Sequence, residues 1–193
     1  MSGARLDQRA EMTTRYFYDT EFIEDGRTID LISIGIVSED GRGYYAINAE
    51  MPEDRIRQEP WLMENVIPQL HHPRRELPDG HLFDPVDPDV KPHKWIARDV
   101  MNFLLEKGEP ELWADFGAYD HVVLCQLFGR MIDLPKGLPM FTRDLQQRIS
   151  DVQALSTRPL YLPVQTRGQH DALADAAHCK TVFDAIQKQL GVS

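Results

Sequence analysis

The chain has 193 residues, 42% of them hydrophobic, which is enough for a full apolar core and favours a single domain. Its two cysteines, Cys125 and Cys179, lie far apart and outside any CxxC pattern, which argues against a disulfide framework or a structural zinc site and predicts a reducing, cytoplasmic location. A net charge of −10 argues against a protein that tracks long nucleic-acid duplexes, and no apolar stretch reaches the roughly 20 residues that span a bilayer.

The first half of the chain opens with predicted strands. Residues 1–12 are polar, lack the apolar segment of a signal peptide, and are predicted to form a flexible leader before a single domain over residues 13–193. Residues 15–19 are aromatic and typical of a strand. Residues 29–37 are β-branched, and the Asp-Gly turn signal after them predicts that residues 44–49 pair back as an antiparallel hairpin.

Proline interrupts the middle of the chain. Residues 61–70 favour a short helix, whereas residues 72–93 hold five prolines, which exclude a regular helix and predict a surface insertion. The three tryptophans, Trp61, Trp95 and Trp113, are interpreted as core residues. A helix, a strand, a helix, a strand and two helices are then predicted over residues 95–107, 111–114, 118–128, 139–142, 143–155 and 171–190. This alternation predicts an α/β domain with a mixed sheet.

Asp19 and Glu21 form the first of three acidic motifs. They lie two residues apart at the end of a predicted strand, where side chains i and i+2 point to the same side, so both carboxylates can face one ion. Alone, such a pair is more typical of a solvated strand end. The aromatic residues before the pair indicate a buried central strand, in which carboxylates need partners.

Asp120 is the candidate of the second motif. It follows a predicted strand and lies in the first turn of a helix, where the helix dipole by itself explains an acidic residue. Asp115, nearer the strand end, competes for the same role. We favour Asp120 because a strand, a short loop and a helix start would direct its side chain back toward Asp19.

His170 and Asp175 form the third motif. Asp171 is predicted to cap the last helix, which places His170 just before the helix and Asp175 one turn inside it. The alanines between and after them allow this helix to approach a sheet closely. Alone, the motif is also typical of a surface helix with an exposed histidine and a solvated carboxylate.

Together the three motifs supply four carboxylates and one imidazole. Oxygen-rich sets of this kind suit Mg²⁺ or Mn²⁺, and two such ions about 4 Å apart can clamp both the attacking and the leaving oxygen of a phosphodiester. The pattern therefore predicts hydrolysis of nucleic acid, and the acidic chain favours a short footprint at a strand end. A second set, His81 with Asp79, Asp84 or Asp87, has irregular spacing and is interpreted as a solvated loop.

Three runs, FYDTEF, WADFGAYD and HDALAD, resemble the motifs of the DEDDh-type 3′–5′ exonucleases of the RNase T-like superfamily. The histidine five positions before the final aspartate, with four residues between them, marks the "h" branch. Longer runs around the first two motifs resemble the bacterial polyadenylate-specific 3′-exoribonucleases of the AS type. The resemblance implies an RNase H-like α/β fold with a five-stranded mixed sheet flanked by helices. It also implies a metal-dependent 3′–5′ exoribonuclease that acts on single-stranded RNA ends and prefers adenylate tails.

The same resemblance implies a role for each site residue. Asp19 would bridge two Mg²⁺ ions, for which Mn²⁺ can substitute chemically. Glu21 and Asp175 would hold the ion beside the attacking water, and Asp120 would reach the second ion. His170 would be the general base, a role that suits a side chain whose ordinary pKa lies near neutrality.

Substrate contacts and assembly are the remaining expectations. Phe22 follows the first acidic pair and is implied to pack on the terminal nucleotide, although a core position explains it equally well. Arg143 and Arg167 are candidate phosphate contacts, and the resemblance implies a homodimer. Two alternatives stay open: an RNase H-like endonuclease, against which the His170 motif argues, and an inactive nucleic-acid-binding module, against which the complete ligand set argues.

Overall fold

The fold is built on a six-stranded mixed sheet, seen in a computed structural model that describes residues 13–70, 80–156 and 158–191. The spatial order of the strands is β4-β3-β2-β1-β5-β6. Strands β1, β2 and β3 pair antiparallel, while β4, β5 and β6 each join a neighbour in parallel. The strands are β1 Thr13–Glu24, β2 Ile29–Ser38, β3 Gly43–Asn48, β4 Val90–Lys91, β5 Glu109–Ala114 and β6 Arg143–Asp144.

Six α-helices of the described chain flank this sheet. They are α1 Glu53–Ile56, α2 Pro60–Asn65, α3 His93–Leu105, α4 Ala118–Gln126, α5 Leu145–Leu155 and α6 Ala172–Leu190, with short 3₁₀ turns at Ile67–Gln69 and Met131–Asp133. None of these helices combines the length and the apolar character that crossing a bilayer requires.

The sheet buries both of its faces. Tyr16 and Tyr18 of β1 enter a cluster formed with α3 and α4, whereas Phe17 points the other way and packs on Phe183 of α6, with ring centroids 5.2 Å apart. Nine of the ten residues of β2 are buried, as expected for a strand with a covered face on each side. The predicted central position of the first aromatic strand is thereby confirmed.

The architecture confirms the predicted α/β class with a mixed sheet flanked by helices, but the sheet has six strands rather than five. The RNase H-like assignment stays a prediction. The additional strand is β4. The last strand lies at Arg143–Asp144, so its prediction over residues 139–142 was wrong. The helix after it begins at Leu145, because the Asp144 side chain caps it by accepting hydrogen bonds from the backbone N–H groups of Gln146 and Gln147.

The described part of the proline-rich insertion is not a surface loop. Leu82 and Phe83 are buried in the core, and Val90 pairs with Ile47 of β3. The leader over residues 1–12 and the stretch 71–79 lie outside the described residues, and the single-domain boundaries stay a prediction.

The acidic residues of the insertion have local partners. The Asp84 and Asp87 carboxylates accept hydrogen bonds from the N–H groups of Val86 and Asp89. His81 pairs with Glu53, with Nδ1 and Oε1 3.0 Å apart. These contacts account for Asp84 and Asp87 as turn-stabilising groups rather than ion ligands.

Two of the three tryptophans predicted to be core residues are not. Trp61 is 54% exposed and Trp95 49% exposed, whereas Trp113 is buried. Their neighbours Leu62 and Ile96 occupy the core instead. The predicted helix over residues 61–70 also divides in two at Val66, where Pro68 opens a separate 3₁₀ turn.

Candidate active site

The candidate site forms where β1 extends beyond the end of its neighbour β5. The parallel register between the two strands ends at Phe17 and Trp113, while β1 continues to Glu24 with β2 still paired on its other side. Asp19 and Glu21 lie on this continuation. Side chains from both faces of the sheet can therefore meet around the strand edge that β5 leaves open.

Asp120 reaches this edge from the α4 face. Its Oδ1 accepts two hydrogen bonds from Thr20, one from the backbone N–H at 2.9 Å and one from the hydroxyl at 2.6 Å. Thr20 thus binds the helix start to the strand between the two acidic residues. Both of these bonds engage the same oxygen of Asp120, and a carboxylate has a second oxygen that can accept a further partner.

Asp175 reaches the same edge from the opposite face. Asp171 caps α6 by accepting hydrogen bonds from the N–H groups of Leu173 and Ala174, as predicted. The helix start lies directly against β2 at Gly35, where an added Cβ would stand 2.3 Å from the backbone of Ala172. Because Gly35 pairs with Asp19 across β1 and β2, this close approach brings the first turn of α6 beside the acidic strand.

His170 and Asp175 are linked through the backbone. The His170 N–H donates to Asp175 Oδ2 at 2.8 Å, and His170 adopts the left-handed φ of 65°. The side-chain amide of Gln165 donates to the other oxygen, Oδ1, at 2.6 Å. Potential ligand atoms of Glu21, His170 and Asp175 all lie within 4.8 Å of one another.

Crowded carboxylates raise one another's pKa. Burial raises the pKa of Glu21 to about 8, with the charge of Asp175 as the next cause. Burial also raises the pKa of Asp120 to about 6, although the hydrogen bonds from Thr20 oppose this. The pKa of Asp19 lies well above its usual range because of burial and the negative charges of Asp120 and Glu21.

The pKa of Asp175 is also raised by burial, against the hydrogen bonds from Gln165 and His170. All four carboxylates therefore resist ionising together in the absence of positive charge. The donor set fits the divalent cations that the sequence predicts, since hard oxygen ligands dominate it and cations would relieve this repulsion.

These side chains line one cleft of about 570 Å³. Phe22 lies on its wall, half-buried and stacked on Tyr119 with ring centroids 5.9 Å apart. Asp115, the competitor of Asp120, also lines the cleft, but its carboxylate accepts a hydrogen bond from the Gln146 amide at 2.8 Å. The structure thus brings the four predicted metal ligands, His170 and Phe22 to one place.

Arg143 does not join this cleft. It forms an ion pair with Glu111 at 3.0 Å and lines a separate groove, and its phosphate contact stays a prediction. Three residues that the sequence analysis missed contact the site: Thr20, Gln165 and Trp61. A threonine between two acidic residues has no recognisable sequence signal, and Gln165 lies in an irregular loop, so neither residue could be identified from the sequence.

Comparison with known proteins gives a consistent picture. Residues 14–187 match the family described as "3'-5' exoribonuclease Rv2179c-like domain". Two Mycobacterium tuberculosis proteins, 3'-5' exoribonuclease Rv2179c of strain H37Rv and 3'-5' exoribonuclease MT2234.1 of strain CDC 1551, are each 44% identical over 164 residues, which cover 84% of this chain and 86% of the relative. The solved structure of S. pombe Pop2p in its Mg²⁺- and Mn²⁺-bound form covers 91% of this chain and 83% of its own, with 14% identity and a TM-score of 0.46.

Proposed function

Because the chain belongs to the Rv2179c-like family of 3′–5′ exoribonucleases and is an enzyme of that class, we propose that its acidic cleft hydrolyses RNA from the 3′ end with two divalent cations. The observation that carries this proposal is the convergence of Glu21, His170 and Asp175 within 4.8 Å, in the same cleft as Asp19 and Asp120. Mg²⁺ is the proposed ion, and Mn²⁺ can replace it because both accept oxygen ligands.

The carboxylates have distinct proposed roles. Bound cations would supply the positive charge that the phosphodiester needs as negative charge develops on its oxygens. Asp19, central on β1, is proposed to serve both ions. Glu21 and Asp175 would hold the one nearer His170, while Asp120 would use the oxygen that Thr20 leaves free.

His170 is the proposed general base. Its ring lies beside Glu21 and Asp175, where an attacking water would be held. The imidazole would take the proton of that water as its oxygen attacks phosphorus. The bond from phosphorus to the 3′-oxygen of the preceding nucleotide would break, the terminal nucleotide would depart as a 5′-monophosphate, and the leaving oxygen would take a proton from solvent. The backbone bond from His170 to Asp175 ties the base to a ligand, so that both are placed by one loop.

The cleft suits the end of a single strand. A volume of about 570 Å³ and an absence of Lys and Arg among the described lining residues favour a short footprint whose phosphates rely on the cations for charge. Phe22, supported by Tyr119, is the proposed contact for the terminal nucleotide. A preference for RNA would rest on the 2′-hydroxyl, and a preference for adenylate tails is proposed from the AS-type resemblance.

Location and assembly are also proposals. The cytoplasm is supported by two buried cysteines, Cys125 and Cys179, that are free thiols. A homodimer is proposed from the resemblance, and light scattering of the purified chain measures it directly.

The test follows the fate of 5′-labelled RNA. We expect a ladder that shortens one nucleotide at a time from the 3′ end, with Mg²⁺ or Mn²⁺, and no cleavage in EDTA. The matched substrates are DNA of the same sequence, expected to react much more slowly, and RNAs ending in A, C, G or U. Early internal fragments would indicate the endonuclease instead, and RNA binding without cleavage under every ion would indicate the inactive module.

A further inference from the structure

Trp61 is a large aromatic residue in an unusual position. It belongs to α2, where the next residue, Leu62, turns into the core, yet the Trp61 side chain stays 54% exposed. Its indole lies against the imidazole of His170, with ring centroids 4.8 Å apart and planes at 78°, an edge-to-face contact. Such pairs are attractive beyond the area they bury, because the positive edge of one ring meets the negative face of the other.

The core places the two segments that carry these rings side by side. Leu62, Val66 and Ile67 from the α2 segment share one apolar cluster with Ala172, the first residue of α6. His170 stands two residues before that alanine. The helix that carries the indole and the loop that carries the imidazole are therefore packed against the same buried residues, and their ring contact is a consequence of the fold.

The contacts that hold the backbone of His170 are distinct from the contact of its ring. The N–H bond to Asp175 and the left-handed φ describe the main chain of His170. Two side-chain torsions set where the ring nitrogens point. The indole of Trp61 supplies an aromatic surface against which the imidazole packs.

We propose that Trp61 is a positioning residue, which holds the His170 ring in the orientation that faces Glu21 and Asp175. This inference rests on the proposed function, since it assigns to Trp61 the alignment of the proposed general base. A base must lie within hydrogen-bond reach of the proton that it takes, so a freely rotating ring would be productive for only part of the time.

The contact is tested first without ions or RNA. The chain has seven histidines, whose ring C–H signals are resolved by two-dimensional NMR, and His170→Ala identifies the one that belongs to His170. Trp61→Ala is expected to move that signal, because it removes the ring current of the indole. Trp95→Ala is the matched control, since Trp95 is similarly exposed but covers Arg98, and it should leave the signal in place. An unmoved His170 signal in Trp61→Ala would overturn the proposal.

The role is tested by single-turnover hydrolysis at saturating enzyme. Trp61→Ala is expected to lower the rate roughly 3- to 10-fold, the worth of one aromatic pair, while leaving Mn²⁺ affinity and RNA affinity unchanged. Trp61→Phe, which keeps an aromatic ring, should recover most of the loss, and Trp95→Ala should match the parent.

Other outcomes have distinct meanings. Weakened RNA binding with a parental rate at saturation would show that Trp61 contacts the RNA, and would overturn the positioning role. Parental values for both would overturn it too. A parent chain that cleaves no RNA with any ion would refute the proposed function instead, while the NMR result would still decide whether the two rings touch.

Discussion

Two cavities of nearly equal volume lie on this molecule, about 570 Å³ for the acidic cleft and about 530 Å³ for a groove between α5 and α6. In the groove the charges are balanced. Glu111 pairs with Arg15 at 3.4 Å and with Arg143 at 3.0 Å, and Asp144 is occupied in capping α5. The cleft is lined by five carboxylates, and no Lys or Arg is among its described lining residues.

The comparison indicates that unbalanced charge, rather than cavity size, distinguishes the proposed active site from the groove. Buried carboxylates are costly unless something positive satisfies them. The groove meets that need with its own arginines. In the cleft, no Lys or Arg among the described lining residues balances the carboxylates, as is expected of a site that binds cations.

The largest contrast should come from removing one carboxylate from each cavity. Asp19→Ala deletes the proposed shared ligand, so ion binding should weaken strongly and hydrolysis should fall below detection. Asp151→Ala, an exposed acid of the groove, should keep parental activity. Calorimetric titration with Mn²⁺ and a single-turnover assay measure both effects. Equal activity in the two variants would remove the distinction between the cavities.

His170→Ala should show whether His170 acts as a general base or as an ion ligand. Loss of a general base typically costs about 10²–10⁴ in rate, so hydrolysis should become very slow while the protein folds and binds Mn²⁺ and RNA about as the parent does. The matched variant is His178→Ala, a second histidine of the same cleft with no proposed role in proton transfer. A parental rate for His170→Ala would show that the third motif has been misinterpreted.

The free energy of unfolding should depend on pH because the carboxylates of the cleft lie close together and have raised pKa values. Because the folded pKa of Glu21 is raised from 4.5 to about 8, the folded state holds a proton that the unfolded state releases between these values. The free energy of unfolding of the ion-free protein should therefore fall as pH rises from about 5 to about 8, by roughly a few kcal/mol.

Denaturation at several pH values, compared with Glu21→Gln, isolates this contribution, since the amide cannot titrate. Adding Mg²⁺ or Mn²⁺ at pH 8 should restore the lost stability, because the ions bind only the folded cleft. A parent whose stability matches that of Glu21→Gln in its pH dependence would contradict the raised pKa.

The smallest effect should come from Gln165, which only orients a ligand. Gln165→Ala frees Asp175 Oδ1 from its 2.6 Å hydrogen bond and should weaken Mn²⁺ binding or activity about 10-fold. Gln147→Ala, an exposed glutamine of the groove, is the control and should change neither. If both variants bind Mn²⁺ like the parent, the hydrogen bond to Asp175 has no part in ion binding.

Local rules predicted most of the fold and the location of the site. Strand alternation placed Asp19 and Glu21 on one side, and helix capping by Asp171 placed Asp175 one turn into α6. Both are short-range properties that a sequence records directly. The ion-binding and catalytic roles of these residues stay predictions until they are measured.

The features that sequence analysis missed depend on distant contacts. Strand β4 has two residues, too few to show any periodicity, and exists because Val90 meets Ile47 of β3. The ring contact of Trp61 joins it to His170, more than 100 positions away in the chain, so a hydrophobicity pattern could only suggest a buried side chain. Gln165 likewise acquires its partner only after the loop folds back on α6.

The contact at Gly35 makes the reaction geometry depend on a residue with no functional group. The main chain of α6 touches the main chain of β2 there, with no room for a single methyl group between them. This backbone contact leaves no gap between α6 and β2, and it therefore sets the distance between Asp175 and Asp19 across the sheet. A misplacement of about 1 Å can cost on the order of 10² in rate. Adding one carbon atom at position 35 would therefore slow the proposed reaction although the proposed ligands, the proposed base and the substrate are all unchanged.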